Sequence, residues 1–342
     1  MKFEAIKNRK TEHLDIFEKE DVNFQNSSGF EKYRLIHDSL PEQNFEEVDV
    51  SQDFLGYQLS MPFMVSAITG GFEKGTVLNQ QLSEVASRHN IAFALGSMRA
   101  CFENHHLIKS FAQIKANNQV IPIIGNIGGQ QLLDYTITQI EDIVESTKID
   151  ALAIHLNPLQ EVLQPEGDKK FAGIKDKILK ISETLTRPII IKEVGFGLPI
   201  KNILELSARG INWFDLAGSG GTSWVKIEKH RISSSVNQKT AEEFEEFGIP
   251  TAEILEKAVK IDHINLIATG GINRALDFAK AIALGAKLSG SAGKILNCWN
   301  TGGSKAVDEM LKVFYNTLKI SVFITGCKNL EEYREFSNIE PC

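Results

Sequence analysis

The chain has 342 residues, 42% hydrophobic and 24% charged, enough to bury one large core or two small ones. Its formal net charge of −7 excludes nucleic acid as the main partner, because a phosphate backbone attracts basic surfaces. No run approaches the roughly 20 apolar residues that span a bilayer, and the opening Met1-Lys2-Phe3-Glu4-Ala5-Ile6-Lys7-Asn8-Arg9-Lys10 lacks an apolar signal core, so a cytoplasmic location without a membrane partner is expected.

Residues 1–60 are polar with scattered aromatics and predict an arm packed over or beside the main body. Eight short apolar runs then follow: Pro62–Ala67, Ile91–Leu95, Val120–Ile124, Ala151–Leu156, Pro188–Val194, Trp213–Ala217, Leu266–Thr269 and Ala286–Gly290. Between them apolar residues return every three or four positions over Leu78–His89, Ile137–Thr147, Ile174–Leu185, Ile200–Arg209, Ala252–Ile261 and Leu276–Leu284, which is the helical period. Strand and helix alternating eight times predict an α/β chain folded as a (β/α)8 TIM barrel, one domain over 1–342, with a doubly wound open sheet as the alternative. After strand six, residues 224–250 form a charged, Ser-rich insertion that reads as a lid-like loop or a disordered decoration. Lys305–Gly326 predicts a long closing helix. Cys101, Cys298, Cys327 and Cys342 are scattered without metal-ligand spacing and read as ordinary reduced thiols.

Barrel chemistry sits at the C-terminal strand ends, so the post-strand segments read as one composite pocket. The fourth, His155-Leu156-Asn157-Pro158-Leu159-Gln160-Glu161-Val162-Leu163-Gln164-Pro165-Glu166-Gly167-Asp168, is the densest in polar groups. His155 and Gln160 could face a neutral reacting carbon while Glu161, Glu166 or Asp168 takes a divalent cation. Thr269-Gly270-Gly271 and Ser291-Ala292-Gly293, with Thr222, suit a phosphate cradle, since glycines and helix N-termini present backbone N–H groups to anions. Lys192 ends an apolar strand; it could stabilise negative charge on a ring or enolate, form a Schiff base, or pair with Glu193 or a neighbouring carboxylate. Asn126 and Ser97 suit the edge of a heterocycle. Arg9, Lys10 and His13, with Arg99, suggest a second anion site, although Arg9-Lys10 alone also fits a solvated charge pair.

These segments together resemble the type 2 isopentenyl diphosphate isomerases, flavin-dependent barrel enzymes. The resemblance runs through Arg9-Lys10-x-x-His13, Leu40-Pro41-Glu42, Thr69-Gly70-Gly71, Gly96-Ser97-x-Arg99, Asn126, the long His155–Asp168 segment, Lys192-Glu193-Val194-Gly195-x-Gly197, Ala217-Gly218-x-Gly220-Gly221-Thr222-Ser223-Trp224 and Gly270-Gly271-Ile272. It implies FMN contacts at Ala67, Ile68, Thr69, Ser97, Asn126, Lys192, Thr222, Gly270, Gly271, Ser291 and Ala292. It implies substrate contacts at Arg9, Lys10, His13, Ser97, Arg99, His155, Asn157 and Gln160, catalytic work at His155, Gln160 and Lys192, and Mg²⁺ held at Glu161 against a diphosphate. Further implications are conversion of isopentenyl to dimethylallyl diphosphate with reduced FMN as acid and base, NAD(P)H as reductant, and a homotetramer or homo-octamer. Ile68, Met98, Ala217 and Asn273 depart from the residues common in the family, namely Met, Gln, Ser and Arg. Met98 is expected to remove a polar contact beside the substrate, and Ala217 a hydroxyl from the flavin site. An FMN oxidoreductase of the same barrel class and a catalytically silent flavin- or phosphate-binding module are the alternatives.

Overall fold

A computed structural model describes residues 2–335 and 338–342. Eight parallel strands, β1 (Phe63–Val65), β2 (Ala92–Ala94), β3 (Ile123–Gly128), β4 (Ala151–His155), β5 (Ile189–Lys192), β6 (Trp213–Asp215), β7 (Asn265–Ala268) and β8 (Leu288–Ser291), close into a barrel. β8 returns to β1 with Gly290 opposite Met64, which rules out the open-sheet alternative. Alternation along the strands divides the core in two. Met64, Ala92, Ala94, Ile124, Ala151, Ala153, Ile190, Ile267 and Leu288 fill the barrel, whereas Phe63, Val65, Phe93, Ile154, Ile191, Phe214 and Leu266 pack outward among the helices. Each fully buried Leu, Ile or Phe contributes about 1.5–3 kcal/mol. A hairpin of Gln52–Phe54 and Tyr57–Leu59 plugs the N-terminal end, inserting Phe54 and Leu59 into the interior cluster. The opposite mouth is thereby left for function.

Local chemistry explains several boundaries. Thr136 and Gln139 form a capping box at the start of helix Ile137–Thr147. The closing helix runs from Gly293 to Ile324 but breaks at Gly302 and Gly303, the latter at φ 60°, so Lys305 begins its second part. The first part presents its N-terminus to the barrel mouth.

The structure corrects two readings and adds three helices. The third strand runs Ile123–Gly128 rather than Val120–Ile124, because Gly125, Asn126 and Gly128 are recruited by continuous pairing with Ala151–His155, while Val120 is 65% exposed. Residues 224–250 do not form an irregular loop: helices Trp224–Arg231 and Ser235–Glu242 occupy most of the segment, each capped by a serine, Ser223 and Ser234. The arm carries an 18-residue helix, Lys2–Lys19, and residues 99–117 hold two helices, Arg99–Glu103 and His106–Asn117, that the periodicity had not singled out. All four cysteines are unpaired. Among the described residues no helix is long and apolar enough to cross a membrane.

Candidate active site

Strand register assembles the centre of the mouth. His155 lies opposite Gly128 on one side and Lys192 on the other, and Lys192 lies opposite Asp215. Because Ile154, Ile191 and Phe214 face outward, these three polar side chains turn inward. The His155 ring packs so closely on β3 that a Cβ at Gly128 would lie 2.9 Å from its Nε2 and 2.1 Å from Gln131 Oε1. His155 Nδ1 meets Asn126 Oδ1 at 2.8 Å. Burial, with the positive charges of Lys192, Lys10 and Arg9, pushes the imidazole down to about 3. It is therefore neutral near pH 7; Nδ1 carries the proton donated to Asn126, leaving Nε2 as an acceptor.

Lys192 does not pair with the Glu193 carboxylate. Its ammonium donates to the Glu193 backbone carbonyl and stands 3.8 Å from Asp215 Oδ2. The Glu193 carboxylate instead accepts the backbone N–H groups of Val194, Gly195 and Phe196 at 2.6, 2.8 and 2.6 Å, holding the loop after β5. Burial pushes the Asp215 carboxyl above its usual range, opposed by Lys192, the Thr269 hydroxyl and the Ala217 N–H.

After β4 the chain enters the short helix Pro158–Leu163, which buries Gln160 and Glu161. Glu161 accepts from Asn157 Nδ2 at 3.2 Å and from the Asp168 backbone N–H at 2.8 Å. Asn157 Oδ1 is buried without a partner. Of the three carboxylates proposed for a cation, only Glu161 lines the cavity; Glu166 pairs with Arg231 at 2.7 Å and Asp168 lies 3.7 Å from Arg99. Among the described residues no three His, Cys, Asp or Glu side chains are grouped to hold a metal by themselves.

Helix Lys2–Lys19 carries Arg9, Lys10 and His13 to the mouth, so Arg9-Lys10 is not a solvated pair. Lys10 Nζ donates to the carbonyls of Gly70 and, at 3.3 Å, Ser97. Burial first, and then Arg9 and Arg99, bring its ammonium down to about 7. Arg9 is also lowered by burial and by Arg99. Arg99 Nε is buried with no partner. These cations repel one another and are balanced only at long range, by Glu166 4.0 Å from Arg9 and Asp168 3.7 Å from Arg99.

Glu228, in helix Trp224–Arg231, was missed from sequence because the insertion read as a loop. It is fully buried: Gln160 Nε2 donates to it at 3.1 Å and Arg231 Nη1 at 2.8 Å, and His13 Nε2 approaches to 3.0 Å without hydrogen-bond alignment. Burial would raise its pKa, but His13, Gln160 and Arg231 together hold it below the usual carboxylate range. Asp215 was also passed over, although a carboxylate ending an apolar strand is itself a signal.

At the far side of the mouth, Gly270 and Gly271 take φ 92° and 69°. A Cβ on Gly270 would lie 2.0 Å from the Gly218 carbonyl oxygen, and one on Gly293 would lie 2.8 Å from Thr222 Oγ1. This close backbone packing, at the first turn of a long helix, makes a cradle suited to a phosphate. Ala67, Ile68, Thr69, Ser97, Asn126, Lys192, Thr222, Gly270, Gly271, Ser291 and Ala292 all line the same cavity as Arg9, Lys10, His13, Arg99, His155, Asn157, Gln160 and Glu161. Ala217 and Asn273 line it too, whereas Met98 is buried beneath Gly125 and takes no part in the wall.

The isopentenyl-diphosphate delta-isomerase of Rickettsia canadensis (strain McKiel) is 37% identical over 327 residues, covering 95% of each chain. That of Nostoc sp. is 36% identical over 335 residues, covering 97% of this chain and 95% of the relative. This chain belongs to the isopentenyl-diphosphate delta-isomerase family. Residues 174–338 match the FMN-dependent dehydrogenase family, which marks the type 2, flavin-barrel branch of these isomerases. The recombinant flavin-binding domain of baker's yeast flavocytochrome b2 has a similar fold, with a TM-score of 0.68 at 16% identity over 92% of this chain and 78% of that one. A soluble mutant of (S)-mandelate dehydrogenase from Pseudomonas putida gives 0.69 at 12% identity over 98% and 99%. For this isomerase-family chain, those two likenesses establish the barrel alone.

Proposed function

We propose that the whole chain, 1–342, is one catalytic unit that isomerises isopentenyl diphosphate to dimethylallyl diphosphate with FMN and Mg²⁺. The observation that carries this reading is the placement of Arg9, Lys10 and Arg99, whose carboxylate contacts are long, Glu166 4.0 Å from Arg9 and Asp168 3.7 Å from Arg99, across one cavity from neutral His155 and from Lys192. The names of the relatives at 36–37% identity support the same substrate.

The residues present fit FMN. The cradle of Gly270, Gly271, Thr222, Ser291 and Ala292 would hold its phosphate, Asn126 and Ser97 the ring edge, and Lys192 its negative charge. When bound and reduced, FMN supplies a site that can give and take a proton without net redox change. That matters because an isolated alkene is a very weak base, and side-chain acid–base catalysis alone typically gives about 10²–10⁴-fold.

The chain's own groups do the positioning. Arg9, Lys10 and Arg99 would bind the diphosphate. Glu161 would give Mg²⁺ one carboxylate, the remaining ligands coming from diphosphate and water, as is usual for this cation. The Glu161 site therefore fits Mg²⁺ only together with substrate. His155 Nε2 and the Gln160 amide, backed by Glu228, would orient the reacting end, while Trp224, Ile227 and Leu296 exclude water. NAD(P)H as reductant, a homotetramer or homo-octamer, and a cytoplasmic location complete the proposal.

Proton NMR of isopentenyl diphosphate in D₂O under anaerobic conditions tests it, omitting protein, FMN, Mg²⁺ and reductant in turn. Deuterated dimethylallyl diphosphate formed only with reduced FMN is expected. Unchanged alkene signals in a protein that binds FMN would overturn it. The dehydrogenase match over 174–338 favours one second reading, an FMN oxidoreductase, which would bleach its flavin stoichiometrically with a 2-hydroxy acid.

A further inference from the structure

Asp215 ends β6 and is 1% exposed, although a buried carboxylate is costly without compensation. It is fixed on two sides: Thr269 Oγ1 donates to Oδ1, and the Ala217 N–H reaches the same carboxylate from a backbone held at φ 39°. Its Oδ2 faces Lys192 Nζ at 3.8 Å. Among the other groups around that ammonium, none is a carboxylate aimed at it across the strand pair. His155 is neutral, Arg9 and Lys10 are cations, and the Glu193 carboxylate is turned toward three backbone N–H groups and acts on the ammonium only through its charge.

We propose that Asp215 is a positioning residue: as counter-ion to Lys192 it holds the ammonium over the cavity and thereby sets the preference for reduced over oxidised flavin. This rests on the flavin reading of the cavity. A lysine side chain is long and flexible, so its charge acts at a defined place only when something opposite fixes it. Strand register supplies that opposition directly, Asp215 on β6 facing Lys192 on β5. A purely structural Asp215 would need only its hydrogen bonds from Thr269 and the Ala217 N–H, for which an asparagine of equal size keeps an acceptor oxygen.

The test is made on the full-length FMN-loaded protein, measuring the two-electron flavin potential by dye-coupled titration for the wild type, Asp215→Asn and Lys192→Met. Lys192→Met should lower the ratio of reduced to oxidised flavin affinity about tenfold, a negative shift of about 30 mV, and Asp215→Asn should do the same because the ammonium loses its place; a positive shift in Asp215→Asn, the effect of removing a negative charge alone, overturns the proposal. If Lys192→Met shifts the potential and folded Asp215→Asn does not, the role of Asp215 is overturned. If neither shifts it, the flavin does not lie against Lys192 and the reading of the cavity fails instead. Should Asp215→Asn not fold, Thr269→Val carries the test. A negative shift supports the proposal and an unchanged potential overturns it, because damage to phosphate binding would weaken both flavin states alike.

Discussion

The Nδ1 of His155 and the Oδ1 of Asn126, on adjacent strands, are 2.8 Å apart, so the imidazole tautomer is set by the barrel wall. The folded ring is held at about 3, below its ordinary value of 6.5, chiefly by burial and then by Lys192. Between those values the unfolded chain binds a proton that the folded chain does not, so stability is lost as pH falls from 6.5 toward 3. The ring should show no titration between pH 5 and 8 in ¹⁵N-resolved NMR. His155→Asn should flatten the dependence of Tm on pH between 6.5 and 4; an inflection for His155 near 6.5 would refute the neutral-ring assignment.

Lys10 moves stability in the same direction with pH, but in a higher window. Its folded value of about 7 lies below the ordinary 10.5, chiefly through burial and then Arg9, so both states are protonated below pH 7 and the full cost of burying the ammonium is present there. That cost is relieved as pH rises from 7 to 10.5, where the unfolded chain holds the extra proton. Lys10→Met should stabilise the ligand-free protein at pH 6, on the order of a few kcal/mol, while raising the KM for the diphosphate at least about tenfold. In the wild type that KM should climb above pH 7 as the ammonium is lost. A less stable Lys10→Met at pH 6 would contradict the account.

The barrel was legible because eight apolar runs and their glycine-ended loops repeat along the chain, and closure follows once β8 meets β1. The candidate residues were legible for the same reason, since strand ends converge at one mouth. What escaped depended on tertiary pairing. Gly125 to Gly128 become strand only against Ala151–His155. Glu228 acquires meaning only when helix Trp224–Arg231 folds over the mouth beside His13 and Gln160. The arm helix was hidden by polarity, because its work is to carry Arg9 and Lys10 rather than to fill the core.

Glu161 is already held by Asn157 and the Asp168 N–H, so its carboxylate is oriented before a cation arrives. Glu161→Gln keeps the shape and removes the charge that Mg²⁺ needs. The Mg²⁺ concentration for half-maximal turnover should rise at least about tenfold, with FMN affinity unchanged within about twofold, read by flavin fluorescence. An unaltered Mg²⁺ requirement would remove Glu161 from the cation site.

Arg231 joins three segments around the mouth, reaching Glu12 of the arm helix at 2.9 Å, Glu166 of the loop after β4 at 2.7 Å and buried Glu228 at 2.8 Å. Cutting one partner from a buried ion pair typically costs about 3–5 kcal/mol, because the remaining charge is stranded. Arg231→Met should therefore destabilise the protein by that order and loosen the arm, exposing residues 7–19 to limited proteolysis. Since the same helix carries Arg9 and Lys10, KM for the diphosphate should rise more than kcat falls. Adding Glu228→Gln removes the stranded charge and should recover part of the stability without re-attaching the arm. If Arg231→Met leaves both Tm and the proteolysis pattern unchanged, the three contacts do not hold the mouth together.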